Sequence, residues 1–246
     1  MNARLQTNQP DAFVLNDQQT LGQIAVELPG ATAIFRRHKL DFCCGGQVSL
    51  SQATSDKGLD GAAVMRELAA IQHNDVPVAP TTTSALIDHI LARYHAVHRE
   101  QLPELIRMAR RVESVHRDHP LVPHRLAALL EQAEQDLLSH MLKEENILFP
   151  LLKAGGNPFV SQPIGVMRAE HTQHGAMLEQ LMALSHDANP PQGACNTWRA
   201  LYAGIAQLHD DLINHIHLEN NILFNQFEAP APAPKPVKSA CCGSCG

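Results

Sequence analysis

The sequence lacks any long hydrophobic run: no apolar stretch approaches the roughly 18 residues that a membrane-spanning helix requires. Its first residues, MNARLQTNQPDAFVLNDQQ, also lack the basic start and apolar block of a signal peptide. We therefore expect a cytoplasmic protein that has no membrane partner. The composition, with 44% hydrophobic and 18% charged residues in a chain of 246, is typical of a globular protein that can bury a core.

Basic clusters and aromatic residues are scarce as well. No block rich in Lys and Arg is present, the formal net charge is −6, and aromatic residues make up only 4% of the chain. Phosphate backbones are bound by clustered cations, and single-stranded nucleic acids are held by stacking on aromatic rings. We therefore expect no nucleic-acid partner. Histidine, in contrast, is abundant, with 15 residues.

Polar and proline-rich stretches divide the chain into segments. The polar start predicts a disordered N-terminus at 1–16, and VPVAPTTTS predicts a linker at 77–83. The stretch APAPAPKPVKS predicts an extended Pro/Ala-rich tether at 229–246 that ends in a CCGSCG tail, because proline fixes the backbone and removes hydrogen-bond donors. Two segments remain as folded units, 17–76 and 84–228.

The folded segments show the apolar spacing of helices, and strand-type alternation is nearly absent. Residues 17–76 contain short helical pieces whose apolar run ends in CCGG, a natural helix stop. They predict a small helical domain that carries two adjacent cysteines. Pro103 lies inside the first long segment of the second unit, where we expect it to bend or break the helix. Four long helices form an up-down bundle, and we predict them near 84–116, 123–153, 163–187 and 195–227.

The second unit contains an internal repeat. The sequences SHMLKEENILFP, from Ser139, and NHIHLENNILFN, from Asn214, share H-x-x-x-E-x-x-I-L-F at an offset of 75 residues. The sequences YHAVHREQLPEL, from Tyr94, and EHTQHGAMLEQL, from Glu170, share H-x-x-H at an offset of 76. The repeat predicts two related helical hairpins, each with an H-x-x-H on its first helix and an H-x-x-x-E on its second.

The repeated residues have the chemistry of metal ligands. A His and a Glu four residues apart lie on one face of a helix, and burying either alone would be costly. Two related hairpins would bring four His and two Glu together, which suits two metal ions bridged by carboxylates. This mixture favours iron, with manganese and zinc as competitors, and leaves coordination positions open for an oxo bridge, water or a diatomic gas. Spacing leaves open which His of each H-x-x-H is the ligand, since residues three apart share a face: His95 or His98, and His171 or His174.

Four further residues flank the candidate ligands by one residue or one helical turn. They are candidates for groups that orient the ligands from outside, and the alternative for each carboxylate is a solvated surface position. The four residues are Asp136, Asp211, Glu170 and Tyr94.

These motifs resemble the RIC (repair of iron centres) family of hemerythrin-like di-iron proteins. The resemblance covers about residues 20 to 227 and is carried by LDFCCGG at 40–46, RYHAVHREQLPEL at 93–105, SHMLKEENILFP at 139–150, AEHTQHG at 169–175 and NHIHLENNILF at 214–224. It implies an all-α fold: a hemerythrin-like up-down four-helix bundle preceded by a small helical N-terminal domain. It also settles the H-x-x-H choice, because the implied ligands are His95, His140, Glu144, His171, His215 and Glu219, with both Glu bridging.

The resemblance further implies a cofactor and a function. The cofactor is two non-haem iron ions in an oxo- and carboxylate-bridged centre, with nitric oxide or oxygen as small ligands. The implied function is the repair of iron-sulfur clusters damaged by nitrosative or oxidative stress, by donation of iron to damaged iron-sulfur proteins. The implied protein is a cytoplasmic homodimer. On this view the chain is a repair factor rather than a turnover enzyme; the alternatives are a nitric oxide reductase at the same site and a gas-binding or sensing module.

Two groups of cysteines complete the candidate residues. Adjacent cysteines do not easily form an unstrained disulfide, so Cys43 and Cys44 are expected as thiolates in a turn opened by Gly45 and Gly46, and we assign them as the catalytic thiols. The alternative is a pair of inert buried thiols. Cys195 is expected to be structural. The tail cysteines Cys241, Cys242 and Cys245 would bind metal or exchange disulfides, unless the tail is an inert end.

Overall fold

A computed structural model describes residues 14–71 and 82–228 of the protein. In these ranges the regular structure is helical, apart from one isolated bridge between Thr20 and Ser49. The all-α prediction is confirmed. Within the described ranges, no helix is both long enough and apolar enough to cross a membrane. The predicted tether and its cysteines at 229–246 lie outside the described residues, as do most of the predicted N-terminal tail and linker.

Four short helices form the N-terminal part, and their apolar faces share one core. The first helix begins with a capping box between Thr20 and Gln23. Asp60 caps the start of the fourth, where its carboxylate accepts two backbone N–H groups. The predicted apolar faces of the first two helices are buried, including Leu21, Ile24 and Phe35. The four helices are α1 (Leu21–Glu27), α2 (Ala31–Arg37), α3 (Leu50–Asp56) and α4 (Gly61–Ala69).

The helix α2 ends earlier than the sequence suggested. We expected the helical run to reach CCGG, but α2 ends at Arg37. Lys39 adopts a left-handed conformation with φ of 53°, and the Leu40 N–H donates to the Phe35 carbonyl over 2.8 Å. This left-handed helix end turns the chain, so that CCGG lies in a loop rather than at a helix terminus.

The bundle consists of four long helical segments near the predicted positions. Each packs against the next, and the first packs against the fourth. The first was predicted to bend or break at Pro103; it does not break there, and its irregular turn lies earlier, at Leu91–His95. The segments are α5 (Thr83–Ile90), a π-helical turn (Leu91–His95) and α6 (Ala96–Val115); α7 (Leu126–Lys143), a π-helical turn (Glu144–Leu148) and α8 (Phe149–Lys153); α9 (Ser161–Leu184); and α10 (Asn196–His217), a π-helical turn (Leu218–Leu223) and a 3₁₀ turn (Phe224–Gln226).

The interior of the bundle is layered. One apolar cluster contains Leu105 and Trp198, and a second, at the other end, contains Ile87 and Phe224. Along each bundle helix the repeated His and Glu residues come between these clusters and are buried. Polar side chains in such a position are shielded from water at both ends, so they need partners within the layer.

The N-terminal part docks on the turn that ends the bundle. The side-chain amides of Asn220 and Asn221 donate to the carbonyl oxygens of Cys43 and Phe42 over 2.9 and 3.0 Å. Backbone N–H of Gly22 donates to Gly46 over 2.8 Å, which secures the loop from the other side. These bonds hold residues 41–46, the cysteine loop, against the turn that carries Glu219.

Candidate metal centre

Six buried side chains converge in the polar layer, and they are the six that the family resemblance implied. Their ligand-type atoms form two groups, in each of which all atoms lie within 4.8 Å of one another. The first position comprises His95 and His215 with both glutamates, and the second comprises His140 and His171 with the same two glutamates. All six side chains are at most 1% exposed: His95, His140, Glu144, His171, His215 and Glu219.

Each glutamate spans both positions. The Glu144 Oε2 atom lies 3.4 Å from His95 Nε2, and its Oε1 atom lies 3.4 Å from His140 Nε2. The Glu219 Oε1 atom lies 3.1 Å from His215 Nε2, and its Oε2 atom lies 3.1 Å from His171 Nε2. Each position therefore has two imidazole nitrogens and one oxygen from each carboxylate. This is the arrangement that two bridged metal ions require.

Three π-helical turns carry candidate ligands. His95 ends the first such turn, Glu144 begins the second, and Glu219 lies in the third, whereas His171 lies in the uninterrupted helix α9. A π-helical turn adds a residue to the helical turn and is often found at functional sites. It changes the direction of the side chains that follow, so the π-helical turns help to determine where the ligand atoms lie.

The two remaining histidines of the H-x-x-H motifs are buried next to the groups but outside them. The ring of His98 lies 5.5 Å from that of His215, and the ring of His174 lies 4.8 Å from that of His140. Both nitrogens of His98 and Nδ1 of His174 lack a hydrogen-bond partner in the ranges 14–71 and 82–228. Burial, with a smaller contribution from neighbouring histidines, lowers the pKa of His98 to about 2 and that of His174 to about 3, so both are neutral at pH 7.

Outer groups hold three of the four central histidines by their Nδ1 atoms. Glu145 lies 2.7 Å from His95, and Asn220 lies 2.9 Å from His171. Glu170 Oε2 lies 2.8 Å from His140 Nδ1, and Glu170 also bonds to Lys143. Such contacts fix the ring so that Nε2 faces the centre.

The fourth central histidine has a different neighbour. The ring of Tyr94 stacks on His215 with centroids 5.2 Å apart and an angle of 4° between planes, and Nδ1 of His215 has no hydrogen-bond partner among the described residues. Of the four predicted outer residues, Glu170 and Tyr94 thus contact central histidines. Asp211 is buried and pairs with Arg93 over 2.6 Å, while Asp136 is exposed and accepts from Gln132.

Sequence reasoning missed Glu145 and Asn220. Each directly follows a repeated glutamate, at the same offset of 75 residues. Their identities differ between the halves, so a search for identical residues passed over them. The available signal was positional: a polar side chain with a hydrogen-bond acceptor at equivalent places in the repeat.

In the six central residues, burial and neighbouring charges shift the pKa values in opposite directions. Burial acts to raise the pKa of Glu219, but the nearby His215 and His171 hold it well below its usual value. Burial acts to lower the pKa of His140, but the Glu144 carboxylate outweighs it and raises this pKa to about 9. Within the described part of the chain, both Glu144 oxygens and Glu219 Oε2 nevertheless lack a hydrogen bond. Buried carboxylate oxygens without donors are costly, and cations would compensate them. The residues therefore fit a metal centre.

The cysteine loop lies against the second position. The Cys44 thiol donates to the His171 carbonyl over 3.3 Å, and the two thiol sulfurs are 3.6 Å apart. The hydrogen bond with Cys44 and then burial raise the pKa of Cys43 well above its usual value, with a further contribution from Asp41. Cys43 is therefore a thiol at neutral pH, not the thiolate that we expected. Cys195 lies apart, exposed, with its sulfur 3.2 Å from His116 Nε2.

Comparison with known proteins gives two family matches. Residues 86–227 match the model of the hemerythrin HHE cation binding domain. Residues 17–72 match a model described as a domain of unknown function, DUF542. The six central residues all lie within the first match, and the cysteine loop lies within the second. A hemerythrin-type domain and the buried His and Glu groups are compatible with a non-haem iron centre.

Several curated proteins are similar over most of their length. The iron-sulfur cluster repair protein YtfE of Yersinia pseudotuberculosis is 48% identical over 209 residues, which cover 84% of this chain and 95% of that protein. The protein of the same name from Cronobacter sakazakii is 48% identical over 210 residues, covering 84% and 94%. A probable iron-sulfur cluster repair protein of Haemophilus influenzae is 46% identical over 212 residues, covering 84% and 95%.

Proposed function

The chain belongs to the hemerythrin HHE family and to the iron-sulfur cluster repair proteins of the YtfE type, and on this premise we propose that it repairs damaged iron-sulfur clusters by donating iron from a di-iron centre. The damage would come from nitric oxide or oxidants, and the partners would be the damaged iron-sulfur proteins. The chain would act as a stoichiometric donor rather than a turnover enzyme.

One observation carries the proposal: each of two buried carboxylates reaches two pairs of histidines, and three of the four carboxylate oxygens have no hydrogen-bond donor among the residues that the structure describes. Burial of two carboxylates side by side without cations would be unfavourable. Two iron ions would supply exchangeable metal and positions that can accept nitric oxide or oxygen. The proposed ligands are His95, His140, Glu144, His171, His215 and Glu219.

The number of donor atoms supports exchange over permanent storage. Each position offers two imidazole nitrogens and two carboxylate oxygens, which is fewer than an octahedral ion takes. Closed structural sites, in contrast, are saturated by protein ligands. Glu145 and Glu170 would accept Nδ1–H from His95 and His140 and so keep the Nε2 lone pairs directed at the metal.

Other parts of the proposal concern the rest of the chain. We propose that 17–76 and 84–228 are separate domains, and that Cys43 and Cys44 act as the catalytic thiols above the second position. The tail cysteines at 241, 242 and 245 would pass iron to a client. We also propose a homodimer that acts in the cytoplasm. The three cysteines of the described residues are free thiols, as is usual in a reducing compartment.

The test incubates the iron-loaded protein anaerobically with a nitrosylated iron-sulfur enzyme and follows enzyme activity, bound iron and nitric oxide together. Donation predicts that recovery of the client accompanies a stoichiometric loss of iron from the protein. Catalytic loss of nitric oxide with the iron retained would instead establish a reductase. If neither occurs while the gas binds, the chain is a sensing module.

Matched variants sharpen this experiment. Glu219→Gln removes the charge of a carboxylate that faces both positions, so iron content should fall below two per chain and repair should be lost. Asp136→Asn removes an exposed carboxylate one helical turn from His140 and should leave both unchanged. Equal iron content in Glu219→Gln and wild-type protein would contradict the proposed ligand set.

A further inference from the structure

The two halves of the repeat hold their histidines with different chemical groups. In the first half, Glu145 contacts His95 Nδ1 and is paired with Arg99 over 2.8 Å at the bundle surface. In the second half the equivalent residue is Asn220, which is 3% exposed and lies between His171 and the cysteine loop. This difference determines which groups the side chain at this position can hydrogen-bond.

The contacts of Asn220 determine its orientation. The Cys43 carbonyl can only accept a hydrogen bond, so the Asn220 atom 2.9 Å away must be the amide nitrogen. The amide oxygen then faces His171 Nδ1, also at 2.9 Å, and this ring nitrogen must be the donor. Nε2 of His171 is left with its lone pair directed at the second position. A carboxylate has no donor, so Glu145 could not make the same link.

The loop is packed too closely to move independently of this link. A Cβ atom built on Gly22 would lie 2.6 Å from the Asn221 Oδ1 atom, and one built on Gly46 would lie 2.9 Å from the same atom. Asn221 also donates to the Phe42 carbonyl, next to the Asn220 contact. Displacement of the Cys43 backbone would therefore also displace the Asn220 side chain.

We propose that Asn220 is a positioning residue that couples the cysteine loop, residues 41–46, to the second metal position and leaves the first position uncoupled. Chemical modification of the loop thiols, by a thiol-reactive electrophile or by a client, changes the orientation of His171 through the Cys43 carbonyl and the Asn220 amide. One of the two iron ions is thus controlled by the loop. The inference rests on the proposed di-iron site.

The test alkylates the loop thiols with iodoacetamide in iron-loaded protein whose Cys195, Cys241, Cys242 and Cys245 are replaced by serine. Mössbauer spectra report the two iron environments, and a chelator reports the rate of iron release. Three proteins are compared: this background, Asn220→Asp, which keeps the acceptor for His171 and removes the donor to Cys43, and Glu145→Gln as the matched change in the other half.

In the background protein and in Glu145→Gln, we expect alkylation to change one of the two iron signals. It should also speed the release of about one iron per chain by roughly 10-fold or more, the range known for outer contacts of metal ligands. In Asn220→Asp the same alkylation should have a much smaller effect, limited to loss of the direct contact between Cys44 and the His171 carbonyl. An equal response in Asn220→Asp, or no response in the background, overturns the coupling. A background protein that never binds two irons overturns the proposed function instead.

A second measurement does not depend on the Asn220 variant. In metal-free protein with the same four cysteines replaced by serine, ¹⁵N NMR should find His171 in the Nδ1–H form, and alkylation of the loop should shift its Nδ1 signal while that of His95 stays unchanged. The opposite tautomer at His171, or equal shifts at both histidines, would refute the role of Asn220.

Discussion

Replacing Gly46 by alanine tests how closely the cysteine loop docks on the bundle. The new Cβ atom would lie 2.5 Å from the Phe42 carbonyl oxygen and 2.9 Å from the Asn221 Oδ1 atom. The first of these is a backbone atom whose position is fixed by a hydrogen bond from Asn221. The clash lies within the loop and cannot be relieved by a side-chain rotation alone, so the loop must change shape and loosen its contacts with the turn that carries Glu219.

The expected cost is that of overpacking a tight contact, about 1–3 kcal/mol in the free energy of unfolding. The matched control is Gly165→Ala, since Gly165 lies within α9 and a Cβ atom there would meet no heavy atom within 4 Å. Alanine is the better helix former, so this control should gain about 0.5–1 kcal/mol. The two substitutions add the same methyl group and should act in opposite directions.

Urea unfolding followed by circular dichroism measures both values. The rate at which a thiol reagent modifies Cys44 measures loop docking, and this rate should rise only in Gly46→Ala, because Cys44 is held against the His171 carbonyl. The reasoning fails if Gly46→Ala is as stable as the wild type. It also fails if Gly165→Ala loses as much stability as Gly46→Ala.

Three further predictions concern the polar layer. Glu170→Gln weakens the contact that orients His140, so iron affinity should fall about 10- to 100-fold in chelator competition, and unchanged affinity would contradict that role. Since Glu144 raises the pKa of His140 to about 9 against the effect of burial, a proton competes with the metal below that pH. Ferrous iron affinity should drop about tenfold per unit between pH 9 and 7, and a pH-independent affinity would count against it. Burial lowers the pKa of His98 to about 2 from 6.5, so its stabilising contribution is present above pH 6.5 and is lost as the pH falls. The loss by pH 5 is about 2 kcal/mol, and His98→Leu should show that much less acid destabilisation in urea unfolding; an equal loss in both proteins would refute it.

The sequence predicted the bundle well because its helices are long and amphipathic and because the chain is repeated. The repeat identified His140, Glu144, His215 and Glu219 from residue identity alone. It could not choose between His95 and His98, since both lie on the inward face of one helix and both are buried. Family resemblance selected His95. The structure places His95, and not His98, in the first of the two groups of ligand-type atoms.

Features that depend on backbone detail or on contacts between distant segments were not predictable from spacing. The three π-helical turns each add a residue to a turn, and the apolar pattern on either side still resembles a helix. The early end of α2 depends on a left-handed Lys39, a residue type without a strong preference for that conformation. The link from Asn220 to Cys43 joins residues 177 positions apart and has no counterpart in the other half of the repeat.

The pairing of histidines across the hairpins has an evolutionary consequence. Residues 83–153 supply His95 to one position and His140 to the other, and residues 161–226 supply His215 and His171 in the same divided way. Neither hairpin supplies both histidines of either position. A half-length ancestor would have completed the site only as a homodimer, with its symmetry axis passing between the two positions. In a single chain the two halves can differ, as they do at the equivalent positions Glu145 and Asn220.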